Sequence, residues 1–352
     1  MPFDAERPTI AVRHVDELLH GARVHGLDAA ALLARAGIAP ALLDAPLARV
    51  TQGQFAALQR LLRRALHDEL WGLCSRPVPP GSYAQALQLM VRCSTLGEAL
   101  ELALRQYRPL LADFVPRRHL QDGVATVVLR PAVPLTPALE YALRTFSFLG
   151  YGTLCWLVGQ RVPLLATNTP HQRVDPRVAR QLFQATVQQA PGWTGWTLER
   201  RWLDLGVAQT PETLRPFLRR APVGLLLKYR DPDSLAERVR AALRSQLGAA
   251  APSLDEIARR LGASPETVRR RLTAEGHSYR SLKDRLRRDL AVELLAQPRL
   301  TLAEIGQRIG FSEAATFHRA FKQWTGVAPG EYRATRLQAG AGRRERAGRA
   351  AA

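Results

Sequence analysis

The sequence predicts two unlike parts: an α+β N-terminal domain, then an all-α C-terminal domain of two helix-turn-helix units joined by a linker helix. Three observations predict it. The chain has 352 residues and 46% hydrophobic content, more than the usual single domain of about 100–200 residues needs for its core. The segments starting at Ser253 and Thr301 repeat one another at a constant offset of 48 positions. Positive charge collects at the same end: from Lys228 onward there are 25 Lys+Arg against 14 Asp+Glu, more than half of the net +19. Such an excess, with a pI near 11.1, suits a polyanionic partner.

In residues 10–70, Leu18, Leu19, Leu32, Leu33, Leu42 and Leu43 recur between Gly21, Gly26, Gly37 and Pro46, the pattern of short helices separated by breakers. Residues 84–111 predict more helix, interrupted at Ser94–Glu98, where Ser94 or Thr95 caps the stretch opening with Glu98, Ala99 and Leu100. Val124–Leu129 is rich in β-branched residues and closed by Pro131, so it predicts a strand. Arg161–Leu165 and Trp193–Leu205 are further strand candidates, and residues 138–158 a buried helix. Phe146, Phe148, Tyr151 and Trp156 there belong to the core or line a ligand pocket, with core the commoner use.

Pro211, Pro216 and Pro222 break the chain ahead of a helix from Ser234 to about Leu247, where Ser234 and Glu237 fit a capping box. Gly248-Ala249-Ala250-Ala251-Pro252 then reads as a linker. The expected division is an N-terminal domain over 1–225, a connecting helix and linker over 226–252, the double helix-turn-helix over 253–335, and a disordered basic tail over 336–352.

The repeat sets Ser253-Leu254-Asp255-Glu256-Ile257 above Thr301-Leu302-Ala303-Glu304-Ile305, and Leu261-Gly262-Ala263-Ser264 above Ile309-Gly310-Phe311-Ser312. Ser253/Glu256 and Thr301/Glu304 form capping boxes that open a short helix. Leu254, Ile257, Ala258 and Leu261, or Leu302, Ile305 and Ile309, supply its apolar face. Gly262 or Gly310 ends it with a positive φ, and Ser264 or Ser312 caps a second helix at once, with Pro265 suited to its first position. Two helices joined by so short a glycine turn make a helix-turn-helix, whose second helix enters the DNA major groove.

That second helix packs with Val268 and Leu272 while presenting Glu266, Thr267, Arg269, Arg270, Arg271 and Thr273. Its counterpart packs with Phe317, Phe321 and Trp324 while presenting Ala314, Ala315, His318, Arg319 and Lys322. Arginine forks to guanine and lysine pairs with phosphate. Between the units, Tyr279–Ala296 predicts a helix of roughly 27 Å, a rod able to set two recognition helices about one DNA turn apart. Leu282, Leu286, Leu290, Val292 and Leu295 form its packed stripe. Arg285, Arg287 and Arg288 reach phosphates, or form a solvated face with Asp284, Asp289 and Glu293.

Residues 252–333 resemble the AraC/XylS family of bacterial transcription regulators. Ile305-Gly306-Gln307-Arg308-Ile309-Gly310-Phe311-Ser312-Glu313, Phe317-His318-Arg319-Ala320-Phe321-Lys322 and Gly326-Val327-Ala328-Pro329-Gly330-Glu331-Tyr332-Arg333 carry the likeness, with Gly306 where Ala is usual. The resemblance implies base-contacting positions at Glu266, Thr267, Arg269 and Arg270 and at Ala314, Ala315, His318 and Arg319. Ser264, Ser312 and Lys322 complete the expected DNA-binding set, and the two alanines imply reading of thymine methyls or of phosphates. Ser94–Leu100 and Phe217–Pro222 resemble the effector-binding domain of a subgroup with a long N-terminal half. That likeness implies an N-terminal sensor domain for an unidentified small molecule, a homodimer, and an activator acting with RNA polymerase on double-stranded operator DNA.

Other classes are disfavoured. No P-loop, HExxH, GxSxG or GxGxxG is present, so no enzyme and no cofactor is expected. Cys74, Cys93 and Cys155 form no CxxC pair, which argues against a disulfide scaffold or a metal site. The N-terminus lacks the apolar run of a signal peptide, and the uncharged stretch between Arg144 and Arg161 is too short to span a bilayer, so a cytoplasmic, nucleoid-associated protein without a membrane partner is expected. The alternatives are an architectural DNA binder without effector and a DNA-binding enzyme with an N-terminal catalytic domain. The first 220 residues exceed what a DNA coating needs.

Overall fold

The computed structural model describes residues 9–169, 179–180, 183–220, 234–246 and 252–334. The expected linker at Gly248–Ala251, the break at Pro222 and the tail from residue 336 lie outside them. The fold is an N-terminal α/β part followed by a helical C-terminal region. Among the described residues, backbone packing gives two compact units: those within 1–19, 26–61 and 232–352, and those within 20–25 and 62–231. Segments 1–19 and 26–61 therefore group with the C-terminal helices, a division different from a single break at residue 225. Its physical reason is a part-buried polar cluster around Arg49.

The N-terminal segment opens with β1 (Ile10–Ala11) and α1 (Val12–Val24), continues with α2 (Ala29–Ala36), and closes with β2 (Arg49–Val50) and α3 (Gln52–Leu66). Asp28 caps α2, accepting from the Ala31 amide, and Gly37 ends it in the left-handed conformation. Gly21, expected as a breaker, instead lies inside α1. A Cβ there would fall 1.8 Å from the Trp71 carbonyl oxygen, so the glycine serves close backbone approach rather than a turn.

In the second unit a five-stranded sheet runs in the order β3 (Phe114–Gln121), β4 (Val124–Pro131), β7 (Thr194–Glu199), β5 (Ala166–Asn168), β6 (Thr186–Gln188). The pairs are antiparallel except β5 with β6. Asp122 and Gly123 link β3 to β4 with φ of 49° and 74°, the twist a two-residue hairpin turn requires. Two expectations shift. The strand sought at Arg161–Leu165 forms instead at Ala166–Asn168, and Trp193–Leu205 divides into β7 and a 3-10 turn at Arg200–Asp204. The cause lies in the ladder: Glu199 faces Val124, the first residue of β4, so beyond it the strand has only the hairpin turn to pair with.

Helices α4 (Ser82–Met90), α5 (Leu96–Tyr107), α6 (Pro137–Leu157) and α7 (Pro211–Arg220) accompany the sheet. Thr95, not Ser94, caps α5 in a full capping box with Glu98. Thr136 caps α6, with Pro137 at its first position. Tyr151, Leu154, Leu157, Trp196 and Leu198 meet in the main core. Of Phe146, Phe148, Tyr151 and Trp156, the last two are buried in this core and the first two pack half-buried against core clusters. Tyr151 donates its hydroxyl to the Val162 carbonyl at 2.7 Å, Trp156 stacks on Phe217 at 3.9 Å, Phe148 meets Phe183, and Phe146 lies edge-on to Tyr107 and Phe114.

The C-terminal helices are α8 (Leu235–Arg244), α9 (Leu254–Arg260), α10 (Pro265–Ala274), α11 (Tyr279–Leu294), α12 (Leu302–Arg308) and α13 (Ala314–Thr325). The two capping boxes expected in the repeat form. Glu256 accepts from the Ser253 amide and Glu304 from the Thr301 amide, each at 2.6 Å. These bonds hold both exposed carboxyls below their ordinary value of 4.5. A carboxyl lowered on folding stabilises fully above its unfolded value, and the contribution disappears as pH falls through the folded value. Domain stability should therefore decline below about pH 4.5, and the Glu256→Gln/Glu304→Gln variant, which keeps an accepting oxygen without a titrating proton, should decline less steeply. Urea midpoints followed from about pH 7 to pH 3 check this, and equal slopes in both proteins would sink it.

Candidate nucleic-acid interface

Each helix-turn-helix is built from a buried seam. In the first unit Ile257, Ala258, Val268 and Leu272 close against Leu282 and Leu286 of α11. Helix α8 belongs to this same core through Leu235, Ala236, Val239 and Leu243. Ser234 caps it, accepting from the Glu237 amide, but the reciprocal half of the expected capping box is replaced. Glu237 pairs with Arg240, and Glu275, at the end of α10, accepts from the Leu235 and Ala236 amides at 2.9 and 2.8 Å. A negative charge thus sits on the positive end of α8 and ties it to the first unit.

Gly262 turns the chain with φ of 64°, and Ser264 then caps α10, accepting from the Thr267 amide. Ser264, Glu266, Arg269, Arg270 and Arg271 are exposed on α10, with Thr267 half-buried. Ser264 and Thr267 hydrogen-bond each other at 2.8 Å, so both face the N-terminal end of this helix. Glu266 pairs with Arg269 at 2.8 Å; both are well exposed, and such a pair costs little to break.

The second unit repeats the plan with an aromatic core. Phe317 and Phe321 of α13 are fully buried with Ile305 and Ile309, and Phe321 meets Tyr332 edge-on at 5.5 Å. Ala314, Ala315, His318, Arg319 and Lys322 share the exposed face. Ser312 does not cap this helix. The cap position is Glu313, without a side-chain cap bond, because the one-residue difference from the first unit starts α13 at Ala314. Trp324 is half-buried, against Phe311.

Between the units α11 is capped by Ser278 in a box with Ser281 and spans about 24 Å, ending two residues before the expected Ala296. Arg287 on this helix is not a phosphate ligand in waiting. Its Nε and Nη2 donate to the Ile309 and Gly310 carbonyls at 3.0 and 2.6 Å, and its guanidinium lies 4.6 Å from the Phe311 ring centroid. It thereby satisfies the carbonyl end of α12 and fastens the turn of the second unit to the linker helix. Arg288 lies against Asp289 at 3.2 Å. Periodicity marked all of these as a polar face and carried no signal for the Arg287 clamp or the Glu275 cap.

Nothing in the described residues groups His, Cys, Asp and Glu for a metal, and no helix among them is long and apolar enough to cross a membrane. The three cysteines are free thiols, and burial pushes Cys74 up to about 12.

Comparison with known proteins matches residues 26–207 to the arabinose-binding domain of AraC transcription regulators, N-terminal, and residues 257–335 to a helix-turn-helix domain. The chain belongs to the AraC family of transcription regulators. It is 26% identical over 336 residues to the ornithine utilization regulator of Pseudomonas aeruginosa, covering 94% of this chain and 98% of that one. It is 40% identical over 197 residues to the transcriptional regulator VqsM of the same organism, covering 55% and 60%. A crystal structure of the regulator CdpR from Pseudomonas aeruginosa matches across 95% of this chain and 99% of that one at 21% identity and a TM-score of 0.32. The AraC-family chain described here is accordingly a DNA-binding transcription regulator with an effector-type N-terminal domain.

Two substitutions probe how its second unit is held. Arg287→Met removes two charge-assisted bonds and should lower stability by about 1.5–3 kcal/mol in urea denaturation; an unchanged midpoint would mean the clamp is idle. Gly306 is buried in α12, and a Cβ there would lie 3.3 Å from the Phe317 Cβ. Gly306→Ala should therefore gain less than the ~1 kcal/mol that such a change yields in an open helix, and a full gain would show that Phe317 yields freely.

Proposed function

We propose that this regulator reads an operator through the exposed faces of α10 and α13, laid in adjacent major grooves of one duplex. The observation that carries the reading is the duplicated hairpin: equivalent helices bury an apolar side and expose a polar, cationic one. Ser264, Glu266, Thr267, Arg269 and Arg270 form the first contact set, and Ser312, Ala314, Ala315, His318, Arg319 and Lys322 the second. Arg270 and Arg319 suit forked recognition of guanine, Lys322 a phosphate, and the alanines thymine methyls.

The domain at 1–225 binds a small effector and pairs two copies, the DNA-binding part occupies 253–335, and residues 226–252 connect them. The regulator is an activator that engages RNA polymerase, works in the cytoplasm at the nucleoid, and catalyses no reaction. Its family membership and the regulatory names of its relatives support this, and the effector is a small molecule. A thermal-shift screen of small metabolites addresses it, since a ligand at a hundred times its Kd stabilises by about 2.7 kcal/mol.

Duplexes selected by the protein from a random library test the contact set. Arg270→Ala and Arg319→Ala should each weaken binding to the selected duplex by about 1–3 kcal/mol and relax preference at one base position. Lys322→Ala should weaken all duplexes alike and reduce the slope of affinity against salt by about one. Footprints and affinities unchanged in the arginine variants would remove those residues from the interface.

A further inference from the structure

The short ladder of β1 and β2, Ile10 with Val50 and Ala11 with Arg49, is too small to persist alone. Its polar residues are spent elsewhere. Arg49 is half-buried, and desolvation first, then Arg288, brings it down to about 10 against the opposing effect of Asp289. Such a group is tolerated only when partnered. Its Nε donates to the Thr9 hydroxyl at 2.6 Å, and an Nη donates to the Thr9 carbonyl. The Thr9 hydroxyl donates to Asp289 Oδ1 at 2.5 Å, and Arg49 Nε lies 3.9 Å from that same oxygen. Asp289 stands on the linker helix α11. From a second direction, Tyr332 donates its hydroxyl to the Arg49 carbonyl. Tyr332 is fully buried, and its ring packs on Phe321 of α13.

One small strand pair therefore holds both the linker helix and the second helix-turn-helix. It does so without covering the reading face, since Ala314, Ala315, His318, Arg319 and Lys322 remain exposed. A blocking role is thus excluded by geometry. We propose that the β1–β2 pair is a brace that fixes the second unit on α11 and so presets the spacing between the two recognition helices. Thr9, Arg49, Asp289 and Tyr332 are its positioning residues, and a shift of the N-terminal segment would be felt first by the second unit. The inference rests on the two-groove docking proposed above.

The test uses the full chain. Tyr332→Phe keeps the ring on Phe321 and deletes only the hydroxyl. Arg49→Met/Asp289→Leu removes both charges together, so that neither loses the other as its partner. The probe is a duplex selected by the wild-type protein, with a companion series carrying up to about five extra base pairs, half a turn, between its halves. The wild type should lose affinity steeply along the series. Both variants should bind the original duplex about tenfold more weakly, a 1.4 kcal/mol loss, with a flatter dependence on spacing. Hydroxyl-radical protection should fade over the second half-site first. A structural weakening alone would reduce both halves together, and that result, or wild-type affinity and spacing dependence in Tyr332→Phe, would overturn the brace. Should the charge-free pair fail to fold, Tyr332→Phe decides. Protection of a single groove by the wild type would overturn the two-groove docking itself, and the brace with it.

Discussion

Under the proposed docking two recognition helices serve one duplex only if the rod between them is stiff and each hairpin is fastened to it, and the C-terminal region is built to meet that constraint. Helix α11 meets it with two kinds of bond. Toward the first unit it offers buried Leu282 and Leu286 to a common core. Toward the second it offers Arg287, whose fork ends on the Ile309 and Gly310 carbonyls. The apolar seam is non-directional and holds by area. The guanidinium fork is directional and holds by angle, which is what a turn of fixed orientation needs. Glu275 adds the same logic at the other end, tying α8 to the first unit through two amides.

The N-terminal half also uses charge to fix backbone. Asp68 is buried and accepts from the Leu70, Gly72 and Val78 amides, which holds Trp71 at a φ of 56°. Asp113 accepts from Ser75, and Glu69 from the Gly81 and Tyr83 amides. Each carboxylate replaces a stretch of regular ladder, so residues 68–81 are ordered without helix or strand. A loop held this way keeps its backbone groups paired while connecting α3 to α4.

Much of this was legible in the sequence where local chemistry decides structure. The capping boxes at Ser253 and Thr301, the positive φ at Gly262 and Gly310, and the apolar spacing of α10 and α13 depend on neighbours a few residues away. Strand β3 was missed because Pro116 and its charged residues hide an edge strand, although the Asp122-Gly123 hairpin signal stood beside it. Gly21 read as a breaker because its close partner, Trp71, is fifty positions away. Ser312 read as a cap because the repeat was followed one residue too far. Arg287, Glu275 and Arg49 carry no local signal, since their partners are set by tertiary placement.

The unlike faces of the two units bear on how much each depends on that placement. Helix α10 exposes Arg269, Arg270 and Arg271, long side chains that seek out acceptors over several ångströms. Helix α13 opens with exposed Ala314 and Ala315 where α10 opens with Pro265 and Glu266, and carries only His318 and Arg319 where α10 carries Arg269 and Arg270. Under the proposed docking a methyl touches a base only when the backbone beneath it is brought close and held there, whereas arginine tolerates a looser approach. The second unit is the one whose turn is clamped by Arg287 and whose Tyr332 is tied to Arg49. Fixed geometry is thus concentrated where the side chains reach least. Positioning there stands in for length.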